Sequence, residues 1–350
     1  MNKNQLRIEQ YETVLFNANL NPLGIPKTVR RSLEQNIDSI IKYPDAYYNN
    51  LKKSVAAYAG VTTDEVIMGN GSVDLLKLFS ALVQPRKVLV LSPGPSDHSI
   101  ISKAYGAEIV YYDLKEEDDF VLNVPEFIDS LSDDIDLLYI SNPNNPTSRK
   151  LTRSSVLAIA ERCRELDIFF IIDEMYIEFL DNYLDYTAVP LIKSYENMAV
   201  IRSVSKFFAV PGLRFAYAVM NNPDLMLIID LTTTKNNVAS LTAIAITNMF
   251  KDTDYIEESS SIVHTERSLV YLAMSTSTSI KLYKPDANFM LIRLLNPEVT
   301  SGTVAEHCNL RGIIIRKCDD IRGLGNDYIR VCFMNPKQND LMVNTILEIM

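Results

Sequence analysis

From about residue 60 the chain alternates short, β-rich apolar runs with longer amphipathic stretches, and this alternation is what most narrows the folds open to it. It is the signature of a parallel sheet covered by helices on both faces. Strands are expected at 87–91, 108–112, 137–141, 168–172, 198–201 and 215–219. Between the third and fourth, 151–166 places Val156, Ile159, Ala160 and Cys163 at the spacing of a helix with one buried face. After about residue 255 the pattern changes to a long helical stretch, three further strand-like runs (ANFMLIRL, GIIIRK, DYIRVCF) and a terminal helix over 337–350. A chain of 350 residues exceeds one typical core. The expected division is a large α/β domain over 40–250, with a mainly parallel sheet, and a smaller α+β domain built from 1–39 and 251–350.

Composition excludes several classes of function. With 34 basic and 44 acidic residues the formal charge is −10, and no basic stripe offsets it, so nucleic acid and anionic membrane are not expected partners. No apolar run approaches the roughly 18 residues that span a bilayer, and the first residues carry no apolar signal core, so the expected location is cytoplasmic. Cys163, Cys308, Cys318 and Cys332 form no CxxC pair, and His98, His264 and His307 stand at no metal-ligand spacing. They read as buried thiols and isolated imidazoles, with no metal site.

In a sheet of this kind ligands sit beyond the carboxyl ends of the strands, which draws attention to the polar residues there. The run SVSKFFAVPGLR (203–214) sets Lys206 between Ser203, Ser205 and Arg214 just after a strand. A lysine kept neutral by its neighbours bonds an aldehyde well, and hydroxyl and guanidinium donors beside it suit the phosphate of a phosphorylated cofactor. Taken alone, the run is also compatible with a surface lysine in a strand-to-helix loop. IIDEMY (171–176) ends an apolar strand in Asp173, which either meets a cation such as a protonated ring nitrogen or caps the next helix. MGNGSVDLL (68–76) puts two glycines and Ser72 at a helix start, either a phosphate cradle or a plain turn with Ser72 as N-cap. SNPNNPTS (141–148) is a proline-stiffened loop that either aims an asparagine at a ring oxygen or merely turns the chain. A lysine, an acid, an amide and a phosphate cradle at four strand ends together describe a pyridoxal phosphate site.

With these residues assembled, the chain resembles the fold-type I, aspartate-aminotransferase-like superfamily of pyridoxal phosphate enzymes along essentially its whole length. NANLNPLGIP (17–26), KYPDAYY (42–48) and IIIRKCDDIRGLGNDYIRVCF (313–333) look most like threonine-phosphate decarboxylase of cobamide (cobalamin) synthesis, whose sister family is histidinol-phosphate aminotransferase. The resemblance implies that Lys206 carries pyridoxal 5'-phosphate and shuttles protons, that Asp173 pairs with its ring nitrogen, and that Asn145 and Tyr176 bond its phenolic oxygen. Gly71, Ser72 and Val73 amides, with Ser203, Ser205 and Arg214, would hold its phosphate, and Tyr43 would reach the phosphate of a neighbouring subunit, which implies a homodimer with shared sites. Asn19, Gly24, Arg316 and Arg330 match substrate-binding positions. The arginines would take a carboxylate or phosphate through paired donors, although one could instead snorkel at the rim.

Three positions depart from these relatives. The decarboxylase family's N-terminal His-Gly-Gly segment has no counterpart in residues 1–16. His98 stands where both families carry an aromatic ring over the cofactor, so its imidazole either stacks there or faces solvent at a helix start. The usual NNPTG loop ends in Ser148 instead of a glycine, which implies a local difference in geometry. Leu23 matches the decarboxylase and not the tyrosine of the aminotransferase. The expected activity is decarboxylation of a small phosphorylated amino acid, with transamination of a phosphorylated or acidic amine as the alternative. A non-enzymatic cofactor-binding protein is the third reading, disfavoured by the intact Lys206, Asp173, Asn145 and Arg214.

Overall fold

The computed structural model describes residues 13–232 and 236–350. A two-residue strand near the N-terminus, β1 (Val14–Leu15), precedes the alternating region. Seven strands then build one sheet: β2 (Val66–Gly69), β3 (Lys87–Ser92), β4 (Glu108–Asp113), β5 (Leu137–Ser141), β6 (Phe169–Asp173), β7 (Met198–Ser203) and β8 (Ala216–Met220). Their spatial order is β2-β8-β7-β6-β5-β3-β4. The run from β7 to β4 is parallel, and β8 lies antiparallel to both β7 and β2. All six strands expected from the sequence in this region form, within one or two residues at each end. The strand β2 carried no such expectation.

Residues on the central strands alternate between two apolar cores. Leu138, Ile140, Phe170, Ile172, Met198 and Val200 face one, while Leu137, Tyr139, Phe169, Ile171, Ala199 and Ile201 face the other. A strand buried on both faces must be apolar throughout, which is why these runs were legible. The crossover between β5 and β6 is a helix over Arg153–Glu165, capped by Thr152, whose hydroxyl accepts from the Ser155 amide at 3.1 Å. It buries Val156, Ile159, Ala160 and Cys163.

A second sheet follows a long helix, Thr253–Met274. Its strands are β9 (Ile280–Leu282), β10 (Phe289–Leu294), β12 (Arg316–Lys317) and β13 (Tyr328–Cys332), ordered β12-β13-β10-β9 and antiparallel throughout. The short β11 (Ile313–Ile314) pairs in parallel with β1, and the Cys332 amide donates to the Phe16 carbonyl at 2.9 Å. The N-terminal segment is therefore stitched to the second sheet, while the helix Lys27–Gln35 packs on Ser240–Met249. On the pairing of β1 and Phe16 with the second sheet we propose the chain division expected above, 40–250 and 1–39 with 251–350, the helix Lys27–Gln35 packing across that boundary. Residues 1–12 of it lie outside the described residues.

Ser148 fastens the two sheets together. Its φ of 63° is left-handed, so the serine keeps the backbone form a glycine would take. Its hydroxyl accepts from the amides of Ala287 (2.8 Å) and Asp286 (3.2 Å) at the entry to β10. Ser148→Ala should lower stability by about 1–3 kcal/mol by orphaning the buried Ala287 amide. Ser148→Gly should be milder by about 1 kcal/mol because it relieves the left-handed strain. Urea midpoints read both, and an unchanged midpoint in the alanine variant would remove this role from the hydroxyl.

Candidate active site

β5 and β6 end level, with Ser141 opposite Asp173, and β7 runs two residues further, Asp173 lying opposite Ile201. The loops that follow therefore leave the sheet at one place. Lys206 stands one turn into the short helix Val204–Phe207, which Ser203 caps by accepting from the Ser205 amide at 3.2 Å. Its ammonium nitrogen donates to the Ala18 carbonyl at 2.8 Å. Burial, and then the nearby Arg330 guanidinium, lower its pKa from 10.5 to about 8. A lysine so placed has a substantial neutral fraction near neutral pH, the form that attacks a carbonyl.

Asp173 is buried, and its two oxygens have different partners. Oδ1 accepts from the Met175 amide at 2.9 Å, and Oδ2 lies 3.2 Å from His98 Nε2. The next helix, Ile177–Phe179, takes Tyr176 as its cap with no side-chain cap bond, so the reading of Asp173 as a helix cap gives way. His98 is only 3% exposed, its ring stacks on Tyr139 (centroids 4.9 Å), and its edge addresses Asp173. An imidazole facing solvent is excluded, and one whose face is taken by Tyr139 and whose nitrogen is held by Asp173 acts as a support for that carboxylate. Tyr176 packs edge-on against Phe289, and burial raises its phenol above the ordinary value, keeping it protonated. It accepts weakly from Asn19 Nδ2 at 3.4 Å.

At the phosphate end, Gly71 has φ 91°, and a Cβ there would come within 2.5 Å of the Arg214 guanidinium. Glycine is required for the turn and for that approach. Gly71 itself occupies the cap position, and Ser72 opens the helix Ser72–Val83 without a side-chain cap bond, so the reading of Ser72 as N-cap gives way. The helix start at Ser72 and the Arg214 guanidinium adjoin Gly71, and Ser203 Oγ donates to Ser205 Oγ at 2.9 Å; a helix N-terminus with hydroxyl and guanidinium donors is the chemistry that takes an anion.

Arg330 on β13 is the hub of the substrate side. Its guanidinium donates to Asn145 Oδ1 and, at 2.8 Å, to the Asn17 carbonyl, and it lies 5.4 Å over the Phe289 ring. Arg316 is its cross-strand partner, and Asp320 holds it at 2.8 Å. Arg316, Arg330 and Asn145 line one cavity of about 280 Å³. Gly24, at φ 69°, contributes its carbonyl to Tyr255 Oη (2.8 Å), a role in shaping the N-terminal loop. Tyr43 stands apart from this cluster, 89% exposed. The sequence analysis did not single out Ala18, Asn17 or Asn288, whose Nδ2 donates to the Asn19 carbonyl at 3.0 Å. Asn17 lay within a quoted motif; Ala18 acts through its backbone, which carries no side-chain signal.

These residues fit pyridoxal 5'-phosphate. Asn17 Oδ1, Asn19 Oδ1, Asn288 Oδ1 and Arg330 Nε are buried with no protein partner, and buried polar atoms left in that state point to a polar ligand. An activated lysine, a buried acid beyond a strand end and a glycine-built anion cradle define a phosphorylated-aldehyde enzyme on an aspartate-aminotransferase-like fold. The chain belongs to the aminotransferase class I and II family, which it matches over residues 11–346, and its cofactor is pyridoxal 5'-phosphate. It is 29% identical to threonine-phosphate decarboxylase of Salmonella typhimurium over 96% of this chain and 90% of that one. It is likewise 29% identical to histidinol-phosphate aminotransferase of Caldanaerobacter subterraneus subsp. tengcongensis, over 96% and 92%. The crystal structure of histidinol-phosphate aminotransferase from Clostridium acetobutylicum superimposes with a TM-score of 0.88 at 29% identity, covering 96% of this chain and 98% of that one. No helix among the described residues is long and apolar enough to cross a membrane.

Amine labelling of the cofactor-free protein should titrate with a midpoint near 8 at Lys206, the neutral form reacting above it. Arg330→Gln should move the midpoint upward by removing the neighbouring cation; an unmoved midpoint would leave burial as the sole cause.

Proposed function

We propose that this enzyme removes the carboxylate of a small phosphorylated amino acid, such as O-phosphothreonine or O-phosphoserine, as carbon dioxide. The observation that carries it is the pair Arg316 and Arg330, opposite each other in one cavity, with Arg330 near enough to Lys206 to lower its pKa. Like charges facing each other across adjacent strands suit a ligand that brings two anionic groups. Bound in the cradle, pyridoxal 5'-phosphate supplies an electron sink for the bond broken at Cα. Lys206 binds it and then moves protons at Cα, a task its lowered pKa suits. Asp173, steadied by His98, holds a positive charge at the ring nitrogen. Asn145 and Tyr176 donate to the phenolic oxygen, and Arg330, which already holds Asn145, orients the substrate carboxylate. Asn19 and Gly24 shape the wall facing the substrate, and Gly71, Ser72, Val73, Ser203, Ser205 and Arg214 take the cofactor phosphate.

Leu23, the residue of the decarboxylase family, and the likeness to the Salmonella enzyme support this reading. A second reading, transamination of a phosphorylated amine, draws support from the Clostridium structure. The two reactions differ in which Cα bond stands perpendicular to the ring, and the anion grips set that angle. The protein works, on this proposal, as a cytoplasmic homodimer. Tyr43 lies on an apolar surface with Ile40 and Ile41, 64% and 81% exposed, a face for the second copy to which Tyr43 would reach.

With O-phosphothreonine or O-phosphoserine, carbon dioxide should appear without conversion of the cofactor to its amine form; the amine form without carbon dioxide would transfer the assignment to the aminotransferase. Lys206→Ala should abolish turnover while retaining non-covalently bound cofactor, followed by absorbance and borohydride trapping. Tyr43→Ala should release cofactor more readily on dialysis, and a monomer by sedimentation in the wild type would end its cross-subunit role.

A further inference from the structure

A third arginine, Arg322, lines the same cavity as Arg316 and Arg330, and the only acid in that wall is Asp320. Arg322 lies on the turn between β12 and β13, and its backbone is tied down: its carbonyl accepts from Ser92 Oγ at 3.2 Å at the end of β3. The next residue, Gly323, has φ 84°, and a Cβ there would stand 3.0 Å from Ser92 Oγ and 3.4 Å from Pro93. Only glycine lets the turn approach the strand end this closely. The backbone is fixed at the cavity mouth while the side chain is loosely held. Its guanidinium is 56% exposed, paired at 3.1 Å with Asp113, itself 62% exposed, and lies 4.4 Å over the Tyr111 ring.

The three guanidiniums are graded from floor to rim. Arg330 is buried and committed to Asn145 and Asn17; Arg316 is about one third exposed and neutralised by Asp320; Arg322 is the most open. An exposed ion pair is weak, whereas a guanidinium on a phosphate makes two charge-assisted hydrogen bonds. An anionic ligand group can therefore draw Arg322 away from Asp113 at small cost.

We propose that Arg322 anchors the second anionic group of the substrate, the one remote from Cα, and so sets selectivity for an amino acid bearing a phosphate. This rests on the proposed function, under which that group is a phosphate. In this chain, which lacks the N-terminal histidine-glycine segment, the β12–β13 turn supplies the outer grip.

The test is calorimetric titration of the cofactor-loaded protein with O-phosphothreonine and with threonine. The wild type should prefer the phosphorylated ligand. Arg322→Ala should lower that preference at least tenfold, Arg322→Lys should lie between, and the double variant with Asp113→Asn should stay weak, which separates loss of the grip from repulsion by a freed Asp113. Asp113→Asn alone should bind O-phosphothreonine as tightly as the wild type or more so. Arg322→Ala with the wild-type preference would overturn the proposal and leave the proposed substrate class standing. A wild type with no preference for the phosphorylated ligand would sink that class instead; the anchor is then judged with glutamate against alanine, where an unchanged preference in Arg322→Ala overturns it as well.

Discussion

A buried guanidinium, that of Arg330, joins three parts of the chain that are remote in sequence. It extends from the second sheet, donates to an asparagine on a loop of the first, and donates to a carbonyl in the N-terminal segment. Burying a charge without an anion is costly, and here only neutral acceptors surround it. That cost is reduced when a ligand brings an anion, which is the reason the proposed substrate contact falls on this residue. The same charge, after burial, helps lower the pKa of Lys206, so the two cations are coupled electrostatically.

Around that centre, rigidity comes from the strand ends. The neighbouring termini of β5, β6 and β7 release Asn145, Asp173 and Lys206 from fixed points, and right after β6 Glu174 takes Arg202 Nε at 3.0 Å and Thr187 Oγ1 at 2.8 Å. That fully buried pair has its hydrogen bonds met, so it locks β6 to β7 without leaving a stray charge. The loops above can then carry strained residues, such as left-handed Ser148, because the frame over-determines them.

Much of this was legible in order along the chain. Apolar runs marked the buried strands because both faces of the sheet are covered, and the residues after them marked the site because ligands collect at those ends. The edge strand β2 was missed, since a four-residue run ending in glycine reads as a turn. For His98 the sequence left two readings, over the cofactor or facing solvent; burial removes the second, and the contacts with Tyr139 and Asp173 that orient the ring exist only in space. Ser148 looked like a departure, yet the backbone conformation survived, and the hydroxyl gained partners 138 and 139 residues away.

The sequence by itself determined the alternating architecture, the cofactor class, and the lysine, acid, amide and glycine proposed to receive it, because each is a local consequence of strand periodicity or of the residue following a strand. Only the tertiary structure decided which charges meet. The facing of Arg316 and Arg330, the lowered pKa of Lys206, the support of Asp173 by His98 and the approach of Arg322 to the cavity mouth all depend on segments separated by tens to hundreds of residues. Electrostatic interactions act through distance and burial, and neither is defined until the chain has folded.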